Sequence, residues 1–180
     1  MKKIFVFIAL LFSVASNAQV KKVTLQASGL TCSMCSNAIN KSLQSLDFVS
    51  KVYANIKTSS FDIAFKPNAK IDFDKIKSKV EAAGFSVAKF LVQIQFDSAK
   101  ISNGQHLLQN DIAYHFLNVS NQLLSGEKTI QILDKGYVSA KQYKKNSKLT
   151  QMQCYQTGIA EACCSKDNIA KGTRIYHVTI

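Results

Sequence analysis

Apolar residues Val23, Leu25 and Ala27 alternate with Lys22, Thr24 and Gln26, the period of a strand with one buried face. Ile39, Leu43 and Leu46 then follow at helical spacing, one apolar stripe on a short helix. Alternation returns at Val52, Ala54 and Ile56, and again at Phe61, Ile63 and Phe65 against Ser60, Asp62 and Lys66. Asp72 is placed to cap a second helix whose stripe is Phe73, Ile76, Val80 and Ala83. Gly84 stops that helix, and Phe85-Ser86-Val87 opens a fourth strand. Strand, helix, strand, strand, helix, strand is the order of a split βαβ unit, with two helices on one face of the sheet. The pattern therefore predicts an α+β protein beginning with a ferredoxin-like βαββαβ domain over residues 19–91.

Between the first strand and first helix stands Gly-Leu-Thr-Cys-Ser-Met-Cys, residues 29–35. Two thiols three positions apart at a helix start can converge on one soft ion, and the helix dipole favours the thiolate. The same spacing also marks half of a zinc site, a redox dithiol or a structural pair. Polar neighbours make Cys32 and Cys35 poor core thiols. The Trp-Cys-Gly-Pro setting of thioredoxin-like proteins is missing, and the single proline, Pro67, is not placed to support a dithiol. Met34, at the helix entry, is expected to stand partly exposed rather than to ligate.

On Gly29, Thr31, Cys32, Cys35, the following helix and the Gly84-Phe85 pair, residues 21 to about 90 resemble the heavy-metal-associated domain family. That family includes copper chaperones, the tails of metal-pumping ATPases and a periplasmic mercury-binding protein. The resemblance implies that Cys32 and Cys35 are the metal ligands and that Phe85 lies in the loop facing them. Leu30 stands where the family usually has Met, a swap that conserves volume at an inward anchor. Phe85 takes a place that is Lys in eukaryotic copper chaperones, so that cation is missing. Thr31 before the first cysteine, in place of an acidic residue, favours copper(I) over zinc; mercury and silver remain alternatives.

Met1-Lys2-Lys3, the apolar run 4–14 and Ser16-Asn17-Ala18 have the form of a secretory signal peptide, residues 1–18. This run of eleven residues, broken only by Ser13, falls short of the roughly 20 that span a bilayer, so no stable membrane anchor is expected. The expected location is periplasmic or secreted. A formal charge of +12 is spread along the chain, densest at Lys141, Lys144, Lys145 and Lys148. Nucleic-acid binding calls for clustered arginine with aromatics, and this chain has one arginine, Arg174.

Residues 92–180 show strands at Val92/Ile94/Phe96, 114–119, 129–133 and 174–180, with a short helix near 140–146. This predicts a small, mostly β domain, a barrel or sandwich, large enough for a modest core. It carries Cys154, Cys163 and Cys164. In an oxidising compartment a disulfide from Cys154 to one of the adjacent pair is expected; a second soft-metal site, with Met152 or a histidine, is the alternative. His106, His115 and His177 have no ligand-like spacing in the sequence.

No phosphate-binding glycine loop, zinc-protease motif or nucleophile elbow occurs, so the chain is expected not to be an enzyme. The expected function is soft-metal capture, transfer or resistance through the Cys-x-x-Cys site, with a membrane metal transporter or another metal-binding protein as partner. A thiol–disulfide exchange protein and a metal-sensing partner of an efflux system are the alternatives. N-terminal sequencing of protein recovered from the exported fraction should begin at Gln19; a chain still carrying residues 4–14 would mean a membrane tether.

Overall fold

The computed structural model describes residues 20–30 and 32–180; the signal-peptide expectation lies outside them. The first six elements follow the expected order: β1 (Val20–Ser28), α1 (Ser33–Gln44), β2 (Val49–Asn55), β3 (Ser60–Phe65), α2 (Phe73–Ala82) and β4 (Ser86–Ile101). Asp72 caps α2 by accepting from the Lys75 N–H at 3.0 Å. Gly84 takes φ +88° where the helix ends, a conformation that costs a residue without Cβ little. Val23, Leu25, Ile39, Leu43, Phe61, Ile63, Phe73, Ile76 and Val80 are all buried. Each such large side chain contributes about 1.5–3 kcal/mol of transfer free energy. The expected alternation fails at the end of β2, where Ala54 and, one residue past the strand, Ile56 are exposed. β2 is an edge strand paired only with β3.

β4 is the departure that shapes the rest. It is 16 residues long and pairs antiparallel with β1 through its first half. From Leu91 onward it also pairs, along its other edge, with β7 (Gln122–Ile132). The expected division between residues 91 and 92 thus falls inside a strand. The remaining strands, β5 (His106–Gln109), β6 (Ile112–Phe116) and β8 (Ile175–Thr179), complete one eight-stranded sheet in the order β2-β3-β1-β4-β7-β8-β6-β5. The expected barrel or sandwich is corrected accordingly: these strands neither close on themselves nor stack as a second layer, because β4 offers them a free edge. Residues 122–132 form one strand where the sequence predicts a strand over 129–133 alone. Gly126, at φ +69°, sits beside a slip in register between Phe96 and Ala99, a bulge that lets the strand continue.

Alternation along β6 and β8 assigns their two faces. Tyr114, Phe116, Tyr176 and Val178 join the main core with the residues under α1 and α2. Tyr176 packs edge-on against Phe73 at 5.2 Å, and Tyr137 against Phe90 at 5.1 Å. Ala113 and Ile175 face the other way, into a second cluster with Cys154, Ala160, Cys164 and Ile169. That reverse face is covered by the segment holding α3 (Ala140–Asn146), α4 (Cys154–Thr157) and 3-10 turns at Ser147–Leu149 and Ala162–Asp167. The lysines of α3 are exposed, a solvated face. Among the described residues, no helix is long and apolar enough to cross a membrane.

The sole arginine ties the two halves together. Arg174 Nε donates to Asp74 Oδ2 at 2.8 Å, in the first turn of α2, and Nη1 donates to Asp134 Oδ2 at 3.1 Å. The Tyr137 and Tyr176 hydroxyls also donate to Asp74, at 2.7 and 3.0 Å. Burial alone would raise the Asp74 pKa; Arg174 and the two hydroxyls outweigh it and hold the carboxyl below its ordinary value. Such a group contributes stability above its unfolded pKa, about 3.9 for Asp. The contribution is lost as pH falls through the lower, folded value. The thermal unfolding midpoint should therefore fall below about pH 4, and less steeply in Asp74→Asn. Arg174→Ala should cost about 2–3 kcal/mol by denaturant unfolding, because Asp134 stays buried without its cation; the figure is discounted from a fully buried pair because Arg174 is partly exposed.

Candidate metal centre

Cys32 and Cys35 come together where β1 hands over to α1. The helix begins at Ser33, so Cys32 is its N-cap residue and Cys35 lies in its first turn. Cys32 has extended backbone, φ −151° and ψ 162°, and its sulfur accepts from the Cys35 N–H at 3.4 Å. The two Sγ atoms are 2.9 Å apart, within hydrogen-bond reach of each other. The Cys35 thiol is the main reason that the Cys32 pKa is lowered, with the Cys35 and Met34 backbone N–H groups adding to it. A sulfur in this position acts as a capping acceptor, and the unpaired N–H groups of the first turn favour its anionic form.

The rest of the loop suits an open site. Cys32 is exposed and Cys35 half-buried. Met34 stands in solvent, 80 % exposed. Leu30 is partly buried against the main core, the inward anchor expected of it, and Phe85 packs against the same core. Bonds of about 2.3 Å to each sulfur would need the thiols about 3.8 Å apart or more. The pair must open by roughly an ångström to grip an ion, and the exposed Cys32 has room to move.

The cysteines of the second half lie elsewhere, on the reverse face of the sheet. Cys154 and Cys164 are fully buried in one small cluster, with Met152 partly buried against it. No disulfide joins Cys154 to Cys164; the Cys163 side chain lies outside the described part of the structure. The sequence gives the histidines no ligand-like spacing, and the structure brings them together. His106, His115 and His177 are buried side by side next to Cys154. The missed signal was register rather than spacing, since each histidine belongs to a different strand.

Residues 24–86 match the model of the heavy-metal-associated domain. The chain is 33% identical over 70 residues to the copper chaperone CopZ of Bacillus subtilis (strain 168), covering 39% of this chain and 100% of that protein. It is 35% identical over 75 residues to a probable copper-exporting P-type ATPase of Archaeoglobus fulgidus, covering 42% of this chain but 9% of the ATPase. Among solved structures, the yeast copper transporter domain Ccc2a is 31% identical, covering 37% of this chain and 90% of that chain, with a TM-score of 0.34. The chain therefore belongs to the heavy-metal-associated domain family through its first half. The family match ends at residue 86, where β4 begins.

A lowered thiol pKa means that the Cys32 thiolate persists as pH falls. Iodoacetamide alkylation of Cys32, followed by peptide mass spectrometry across pH, should reach half its maximal rate below the ordinary cysteine value. Cys35→Ala removes the main donor and should move that midpoint upward; an unmoved midpoint would deny Cys35 this role.

Proposed function

We propose that the chain is a non-enzymatic carrier that captures copper(I) between Cys32 and Cys35 outside the cytoplasm and passes it on. The observation that carries this is the pair of thiols 2.9 Å apart at an exposed helix N-terminus. Thiolate is the preferred donor for copper(I), and two thiolates suffice for an ion that tolerates low coordination. The names of the relatives, a copper chaperone and copper-exporting ATPases, support the same cargo. Mercury, silver and zinc are the competing ions.

Transfer would proceed by ligand exchange. A partner's thiolate binds the ion as a third donor, one of the chain's own sulfurs leaves, and the second follows, so no bare ion is released. Cys32 and Cys35 are accessible enough for that approach, and exposed Met34 offers an apolar contact beside them. A membrane metal transporter or a second metal-binding protein with its own thiolates fits as recipient. The apolar run at residues 4–14 supports export, which also requires the dithiol to be reduced before it can bind.

Titrating the reduced protein with copper(I) against a competing chelator should show tight binding at Cys32 and Cys35. The Cys32→Ser, Cys35→Ser double variant should lose one equivalent. Unchanged total uptake in that variant, or insulin reduction by the wild-type dithiol without metal affinity, would overturn the proposal.

A further inference from the structure

Three histidines far apart in sequence fall into one row across adjacent strands. Antiparallel pairing of β5 and β6 sets His106 opposite His115, and parallel pairing of β6 and β8 sets His115 opposite His177. Residues directly opposite share a face of the sheet. The His106 and His115 rings stack at 4.2 Å between centroids, and His177 meets His115 edge-on at 4.9 Å. Their exposures are 4 %, 0 % and 0 %. Burying three imidazoles together is costly unless their nitrogens are given partners.

Cys154, at the first position of α4, lowers its sulfur onto this row. Sγ lies 3.4 Å from His177 Nε2 and 4.0 Å from His115 Nδ1. One donor atom each from His106, His115 and Cys154 falls within 4.8 Å of the others. An ion with bonds of about 2.0–2.1 Å to nitrogen and 2.3 Å to sulfur sets such donors about 3.5–3.8 Å apart. The cluster is thus within small side-chain movements of a coordination sphere.

Carboxylates stand behind the imidazoles. Asp167 Oδ2 is 2.7 Å from His106 Nδ1, and Asp134 Oδ1 is 2.7 Å from His177 Nδ1. An ionised carboxylate only accepts, so each Nδ1 carries the proton and the lone pair is left on Nε2. This carboxylate–histidine arrangement fixes the tautomer that binds metal. At His177 that lone pair faces the Cys154 sulfur. That 3.4 Å contact suits a thiol proton donated to Nε2, the proton that a metal ion at the sulfur would displace.

We propose that His106, His115 and Cys154, the sulfur of Cys154 also lying 3.4 Å from His177 Nε2, form a second, buried site for one copper(I) or zinc(II) ion. The donor set holds imidazole and thiolate and no oxygen, which excludes hard ions such as magnesium and calcium. Binding breaks the Cys154 S–H bond and forms a sulfur–metal bond, releasing one proton to solvent. The expected role of Cys154 with Cys163 and Cys164 is thereby altered: the partners of Cys154 in metal binding are histidines.

The full chain carrying Cys32→Ser and Cys35→Ser isolates this site from the exposed one. Kept reduced and titrated separately with copper(I) and zinc(II) under chelator competition, it should retain one equivalent of one of them. X-ray absorption should show mixed nitrogen and sulfur ligands, and about one proton should be released per ion. Adding Cys154→Ser or His115→Gln should abolish retention. Asp167→Asn, which leaves every ligand in place, should weaken binding about 10–100-fold with unchanged circular dichroism. No retained metal in the folded Cys32→Ser, Cys35→Ser protein, or equal retention after Cys154→Ser, would overturn the inference. The former leaves the exposed pair untouched, so the two proposals fail separately.

Discussion

The free edge of β4 is the constraint from which the rest of the molecule follows. In a βαββαβ unit with strand order β2-β3-β1-β4, the last strand is left with one row of N–H and C=O groups unpaired. Exposed edges of that kind attract other strands, and proteins cover, shorten or charge them. Here β4 is instead lengthened to 16 residues, and β7 pairs along it from Leu91 to Ile101. Once β7 is fixed, β8 has only a short ladder on it, through Gln131 and Ile132, and β6 pairs with β8 in parallel. The second half is built outward from the first.

A ladder of two residue pairs between β7 and β8 is a weak joint for half a sheet, and side chains reinforce it. On the helical face Tyr176 packs on Phe73 while its hydroxyl reaches Asp74. Arg174 spans from Asp74 to Asp134, and Asp134 accepts from the backbone N–H of His177 at 3.2 Å as well as facing its ring. A continuous line of charged hydrogen bonds thus runs from the first turn of α2 to the imidazole beside Cys154. The burial of Asp134 makes each link costly to break, because a buried carboxylate without its cation is strongly disfavoured.

The first half was legible because its signals are local. Alternation at Val23–Leu25–Ala27 and Phe61–Ile63, the Asp72 cap and the Gly84 stop each act within a few residues, and each is where the sequence places it. The Cys-x-x-Cys pair is likewise local, one helical turn apart. Ala54 and Ile56 misled because alternation says which residues share a face, not whether anything covers that face. The second half failed for a different reason. Four-residue β5 is too short to show a period, and Gly126 reads as a break unless the pairing with Phe96 is known. The histidines are invisible for the same cause: positions 106, 115 and 177 become neighbours only through register, which depends on non-local pairing.

The two cysteine clusters differ in a way that chemistry can use. Cys32 sits at an exposed loop end, its sulfur held by a thiol and backbone N–H groups that any incoming donor can displace. That is the arrangement for ligand exchange, where the rate depends on a third thiolate reaching the ion. Cys154 is fully buried among three imidazoles, two of them braced by carboxylates, beneath a covering segment. An ion there would leave only if the cover opened, and its binding free energy would act on the folding of the covering segment itself. Under the two proposals the exposed site would pass metal on and the buried one would keep it. The sheet that runs from β1 through β4 and β7 to β8 joins the halves that carry them, with the line from Asp74 to His177 as a second bond between those halves.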